Sequence, residues 1–354
     1  MRLLDRYVGR WVLGGTLLAL AVLLALVTVL GLMDQLEDVG KGDYTLPAML
    51  QYLVLTTPRR AYELVPVAVL LGTLLGLGVL ASHSELTVIR SAGVSTWRIG
   101  GSALRAAALP VVAGVLVGEL VAPPADDLAE ARRSIAIQSQ VALKTRTGFW
   151  VRDGRRFVNL REVLPDRRLA GVYVYDFDDG RRLRAATRAE RARPEGEGWV
   201  LEGVRESRVS PGSVERREET ERPWDVSLAT DLVGLAVVRA DRASSADLRR
   251  YVRFLRENGQ DPSLYELALW VRSSMPLTAA AMVLLAVPFV FGPLRSVGVG
   301  QRVLTGALLG VAFHIVSQAT AQLGLVYGLP PPLGALGPTV LVLATGLWLT
   351  RRAA

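Results

Sequence analysis

The distribution of charge along the chain constrains its fold more than any other feature. Six stretches, Trp11–Met33, Leu64–Ala81, Ile99–Ala122, Tyr265–Phe291, Val303–Val326 and Leu333–Thr350, carry almost no ionisable side chains. Each is long enough, as a helix rising ~1.5 Å per residue, to cross all or most of a ~30 Å hydrocarbon core. Between the third and fourth, from Ala125 to about Pro262, charged and apolar residues alternate and no window could span a bilayer. The whole-chain values, 51% hydrophobic yet 21% charged, therefore average two unlike regions.

The first run follows Arg2, Arg6 and Arg10 and is too long for the apolar core of a signal peptide, so it reads as a retained span with Trp11 at the interface. The second contains Gly72, Gly76 and Gly78 on one face, which suits close helix approach either within the chain or at a subunit interface. The third carries Arg105 and Glu119 near its ends and should break at Pro123-Pro124. In the charged region, Arg156–Leu160, Val172–Gly180, Trp199–Val204 and Ser213–Thr220 read as short strands, punctuated by Gly196, Gly198 and Pro211-Gly212. Asp247–Asn258 reads as a helix leading back to the membrane.

Orientation follows the positive-inside rule. Arg2, Arg6, Arg10, Arg90, Arg98, Arg295, Arg302, Arg351 and Arg352 gather on one side, while the opposite short loops mix Lys41, Arg59 and Arg60 with acids. Both termini are thus expected in the cytoplasm, with the inserted domain across the membrane in the periplasm. The expected fold is a membrane α-helical protein of six transmembrane helices (3+3) with an inserted periplasmic all-β domain of jelly-roll-like form. Residues 1–124 hold helices 1–3, 125–262 the β-domain and 263–354 helices 4–6.

Several chemistries are poorly supported. The chain has no cysteine, which removes disulfides and thiolate sites, and only His83 and His314. A lone His314 fits a hydrogen-bonded interior histidine better than a proton relay. No phosphate-cradling Gly-Lys loop or metalloprotease motif occurs. No catalytic residue, metal site, bound cofactor or nucleic-acid partner is expected, and the protein is not expected to be an enzyme.

The stretch Leu77–Ile99 stands apart. Ser82 and Glu85 have the spacing of a capping box, Gly93 can end a helix in the left-handed conformation, and Ser95 can cap the next one. A short capped helix, Ser84–Ala92, is therefore expected outside the membrane, where it could take up force from a soluble motor. An ordinary helical loop satisfies the same spacing.

The motifs Leu4-Asp5-Arg6-Tyr7, Asp34-Gln35-Leu36, Leu75-Gly76-Leu77-Gly78 and Ser84-Glu85-Leu86-Thr87-Val88 resemble those of the LptF/LptG family of lipopolysaccharide-export permeases. So do Arg90-x-Ala92-Gly93, Gly118-Glu119-x-Val121-Ala122-Pro123, Phe291-Gly292-Pro293-Leu294-Arg295-Ser296 and Val326-Tyr327-Gly328-Leu329-Pro330-Pro331. The resemblance runs the length of the chain, and its opening and Ser-Glu-Leu-Thr motifs look like the G-type branch.

It implies the permease subunit of a type VI ABC exporter in the inner membrane of a Gram-negative bacterium. Lipopolysaccharide would be extracted from the outer leaflet and passed to a periplasmic bridge for delivery to the outer membrane. Implied partners are an LptF-type sister permease, a homodimeric cytoplasmic LptB-type ATPase that binds ATP and Mg, a single-span LptC-type protein and an LptA-type bridge. The family's coupling helix falls on Ser84–Ala92, with Ser84, Glu85, Leu86, Val88, Ile89 and Arg90 as expected ATPase contacts. Its lateral gates fall on spans 1 and 5, with Leu26, Val29, Leu30, Val311 and Ile315 as expected substrate-facing residues. Some relatives carry basic residues at the outer end of span 1, where this chain has Gly31, Glu37 and Asp38. The basic groups left near that surface are Lys41, Arg59, Arg60, Arg132 and Arg133, of which Lys41, Arg132 and Arg133 are the expected headgroup contacts. A membrane-anchored structural or signalling protein with a β sensor domain, and a secondary transporter, are the alternatives.

Overall fold

The computed structural model describes residues 2–137, 149–153, 155–163, 168–178, 180, 182–195, 198–210, 213–224, 240–257, 259–291 and 297–353. Six of its helices are long and apolar enough to cross a membrane. Helix α1 (Arg2–Leu36) contains the first expected span. Helix α2 (Leu46–Ser82) begins well before the expected Leu64, so Arg59 and Arg60 lie on a helix and not in a loop. Proline at the first turn suits the start of α2, and Pro58 and Pro66 are carried inside it. Tertiary packing overrides the breaker signal, because Met49 and Leu53 before Pro58 and Val65 after it are all buried.

Helix α3 (Glu85–Ser91) is the short helix expected between spans, and α4 (Thr96–Leu116) follows it. Pro123-Pro124 does not end the third span. A π-helical turn, Val117–Val121, comes first, and α5 (Ala122–Ile137) starts after it. The two prolines thereby fall in the first turn of α5, where their missing N–H groups cost little. The helix so continues past the expected domain boundary at residue 124.

Strands β1 (Phe149–Asp153), β2 (Arg156–Val163), β3 (Leu169–Phe177), β4 (Leu183–Glu195), β5 (Gly198–Ser210) and β6 (Ser213–Trp224) form one antiparallel sheet in the order β1-β2-β3-β4-β5-β6. The expected β-domain is present, and among the described residues its strand order is that of a meander. Val172 and Val174 point inward, joining Val158, Leu160, Trp199, Leu201 and Trp224 in one buried cluster. Their neighbour Tyr173 lies on the other face between Arg161 and Arg188, with the guanidinium carbons 4.9 and 5.7 Å from the ring centroid. The expected turn signals Gly196 and Pro211-Gly212 lie outside the described residues.

Helix α6 (Ser245–Glu257) buries Leu248, Tyr251, Val252 and Leu255 and leads into α7 (Ser263–Phe291). The expected end of α6, Asn258, and the motif residues Gly292–Ser296 lie outside the described residues. Helices α8 (Val299–Val326) and α9 (Pro331–Ala353) close the chain.

The bundle is built around α2 and α7, whose side chains meet in a core that includes Leu70, Leu74, Leu77, Ile99, Met282 and Val287. The glycines of α2 are consumed inside the chain. A Cβ on Gly76 would sit 2.6 Å from the Trp11 carbonyl oxygen, one on Gly72 would strike Thr16, and one on Gly78 would meet Arg302. Close approach of α1 requires Gly72 and Gly76, and Gly78 makes room for Arg302 of α8, so this face is used within the chain.

Candidate functional site

The inter-helix contacts sort the polar side chains into two groups, one at each end of the bundle. At the first end stands α3. Helix α2 runs through Ser82, whose hydroxyl turns back to the Val79 carbonyl at 2.8 Å, and α3 starts only at Glu85. Ser82 and Glu85 therefore form no capping box: nothing between Ala81 and Ser84 stops α2 early enough to place Glu85 in a third position. The corner is made instead by Ser84, in the left-handed conformation at φ 59° with no side-chain cap, which is a costly geometry for a residue other than glycine. The C-terminal side agrees with expectation. Gly93 is left-handed at φ 84°, and the Ser95 hydroxyl accepts from the Arg98 N–H at 3.3 Å.

Of the six expected partner contacts, Leu86 is buried in the main core and Ile89 packs against it. They anchor α3 and leave Ser84, Val88 and Arg90 facing outward. Helical spacing puts Leu86 on the inner face of α3, where it anchors the helix. The Arg90 guanidinium lies over the Phe291 ring, 5.5 Å from its centroid. Glu85 accepts a hydrogen bond from the Tyr7 hydroxyl at 2.8 Å. Two residues earlier on α1, Asp5 accepts from Ser102 at 2.5 Å and Arg105 at 3.0 Å, with Arg98 at 4.0 Å. The opening Leu-Asp-Arg-Tyr motif thus holds α3 through its tyrosine and α4 through its aspartate.

The second end gathers the other charged groups. Arg133 and Lys41 both reach Asp38, at 2.5 and 2.6 Å, and Arg133 also lies over the Tyr52 ring. Arg132 is exposed and lines a small crevice with Tyr44, Gln51, Tyr52 and Arg133. The three expected headgroup cations are thus brought to one place, two of them sharing a carboxylate. Arg60, read from the sequence as a loop cation and not as a headgroup contact, extends from α2 across α1. Its guanidinium nitrogens would lie 2.5–2.6 Å from a Cβ on Gly31, so it occupies the space a longer residue there would fill. Only the helical continuation of α2 through Pro58 could have signalled this. Arg59 is engaged by Glu63 at 2.8 Å, Asp241 at 3.1 Å and Asp126 at 3.8 Å.

Nearby, Glu119 at the π turn accepts from Arg272 of α7 at 2.6 Å and from the backbone and hydroxyl of Ser245 at 2.9 and 2.7 Å. Arg272 also donates to the Gly118 carbonyl. This knot pins the start of α6 to the two spans that flank the inserted domain.

Between the two ends, Leu26, Val29, Leu30, Val311 and Ile315 are 53–60% exposed. Gly306 and Gly310 do not wait for an outside helix, because they pack on Leu71, Leu74 and Val67 of α2. His314 lies on the exposed face of α8 and not in the bundle interior, because α8 turns its glycines inward.

Six apolar helices, an inserted β-domain and a short anchored helix at the opposite end define a multi-pass membrane protein of the permease class. The chain belongs to the family described as Lipopolysaccharide export system permease LptF/LptG, whose family model matches residues 6–352. It is 36% identical over 352 residues to the Lipopolysaccharide export system permease protein LptG of Escherichia coli (strain K12), covering 99% of this chain and 98% of that one. To the protein of the same name from Haemophilus influenzae it is 35% identical over 352 residues, again covering 99% of this chain and 98% of that one.

Proposed function

We propose that this chain is the permease subunit of an ABC exporter that extracts lipopolysaccharide from the outer leaflet of the bacterial inner membrane and hands it to a periplasmic bridge. ATP is hydrolysed, with Mg, by a partner ATPase. The observation that carries the reading is the unequal burial of the spans. Only 11% of the most apolar window is buried in α1 and in α8, against 67% in α2 and α7. Two apolar faces that flank one central helix suit a slot that opens to lipid and closes against a sister permease.

The α3 end is cytoplasmic in this reading, with both termini, and the β-domain is periplasmic. Ser84, Glu85, Val88, Ile89 and Arg90 present the ATPase contact, with Leu86 as its anchor. Arg132 and Arg60 are the cations best placed for lipid A phosphates, joined by Lys41 and Arg133 when these leave Asp38. The acyl chains pass along Leu26, Val29, Leu30, Val311 and Ile315. An LptC-type protein and an LptA-type bridge receive the lipid beyond the β-domain.

Co-purification followed by reconstitution tests the assignment. Two ATPase copies and one similar six-span protein should accompany this chain, and lipopolysaccharide transfer should require all three proteins and ATP. Transfer by this chain alone would overturn it.

A further inference from the structure

We propose that Tyr7 and Arg302 are positioning residues of the transport cycle, tying the corner between α2 and α3 to α1 and α8, the two spans with outward apolar faces. The proposal rests on the exporter reading above. Tyr7 lies in the second turn of α1, and its hydroxyl donates to Glu85 Oε2 at 2.8 Å. Glu85 is the first residue of α3, so the bond joins the start of that helix directly to α1. Just beyond Tyr7, Val8 and Val12 are fully buried and Leu4 packs on the same core, so this end of α1 is held rigidly in the bundle.

The second tie is of a different kind. Arg302 is 1% exposed, one turn into α8, and its Nη1 donates to the Gly78 carbonyl at 2.6 Å. Gly78 lies one turn before the end of α2, where a cation also complements the partial negative charge of a helix C-terminus. A Cβ at Gly78 would stand 2.8 Å from both Cδ and Nη1 of Arg302, so the glycine is the space the arginine occupies. Between these ties, buried Leu86 fixes the inner face of α3 and leaves the corner at Ser84 as the point of bending.

A displacement of α3 by the motor is then delivered to α1 through an exposed hydroxyl–carboxylate bond that can break and re-form. It reaches α8 through the end of α2 and a buried guanidinium that stays in place. Without the ties, α3 could tilt about its corner while the two outer spans stood still.

The complex of this chain, its sister permease and the ATPase, reconstituted in proteoliposomes, separates coupling from scaffolding. The quantity read is lipopolysaccharide transferred per ATP hydrolysed, alongside subunit stoichiometry. Tyr7→Phe, which removes only the hydroxyl, should leave stoichiometry and hydrolysis unchanged and lower transfer per ATP about threefold to tenfold, the range for one lost hydrogen bond. Arg302→Lys keeps the charge and loses the guanidinium fork, and should lower the ratio in the same direction. An unchanged ratio in Tyr7→Phe would overturn the proposal, as would a parallel fall of hydrolysis and transfer with loss of subunits. A wild-type complex that hydrolyses ATP but moves no lipid would sink the exporter reading instead.

Discussion

At Gly76 the space between α1 and α2 is set by backbone, not by side chains. The nearest atoms to an added Cβ are the carbonyl oxygen and carbon of Trp11 and the nitrogen of Val12, at 2.6 to 2.8 Å. Backbone cannot rotate aside, so Gly76→Ala should push α1 away and cost about 1–3 kcal/mol, read as a lower unfolding temperature of the purified protein in detergent. An unchanged midpoint would show that α1 is not held at this point. Asp38 makes a different residue-scale prediction. Hydrogen bonds from Lys41 first and Arg133 next hold its carboxyl below the usual 3.8, against the opposite pull of burial. A value lowered in the folded state means the tie is fully present above 3.8 and is lost only as pH falls through the lowered value. At neutral pH both cations are therefore engaged. Asp38→Asn should free them and tighten binding of an anionic lipid by about twofold to fivefold, the worth of a part-exposed ion pair. The gain should shrink as the wild-type carboxylate protonates. Binding measured by titration at neutral and acid pH checks this, and weaker binding by the variant at neutral pH would assign Asp38 a different role.

Among the elements, the π turn and its salt bridge carry the clearest energetic consequence. Arg272 and Glu119 are 10% and 25% exposed, so each removes the other's charge from a poorly solvated place. Removing one partner strands the other, which costs about 3–5 kcal/mol when burial is complete and less here. Glu119→Gln and Arg272→Met should each lower stability by about 2 kcal/mol, while the double variant lies closer to wild type than their sum. Strict additivity in thermal unfolding would show that the two groups act separately. Elements of this kind also mark where the sequence was legible. The six spans, the β-insert, α3 and the Ser95 cap all follow from local patterns of period, turn residues and caps. Pro123-Pro124 misled because a proline's cost depends on a π turn that no local rule reveals, and the start of α2 is hidden because the polar turns before its apolar run read as a loop. The Tyr7–Glu85 and Arg60–Gly31 meetings join residues distant in sequence, so composition and periodicity carried no trace of them. The family resemblance named α3 as a functional helix, yet helix period alone would have assigned Leu86 to its inner face.

For the molecule as a whole, the question is what covers α1 and α8. Both pack on α2, where Gly15, Gly72 and Gly76 bring α1 close and Gly306 and Gly310 do the same for α8. Their remaining surfaces are aliphatic. The exposed positions include Leu17, Leu18, Val22, Leu26, Val29 and Leu30 on α1, and Leu304, Leu308, Val311 and Ile315 on α8. Lipid acyl chains and a sister helix are chemically similar neighbours for such a surface, so exchange between them costs little hydrophobic free energy. That is the property a lateral gate needs. Photo-crosslinkers at Leu26, Val29, Leu30, Val311 and Ile315 should therefore capture lipopolysaccharide in one nucleotide state of the ATPase and the sister permease in another. The same probe at Ala279 or Met282, both fully buried in the core, should capture neither. Capture confined to α4 or α9, with none on α1 or α8 in any nucleotide state, would move the gate away from these two spans.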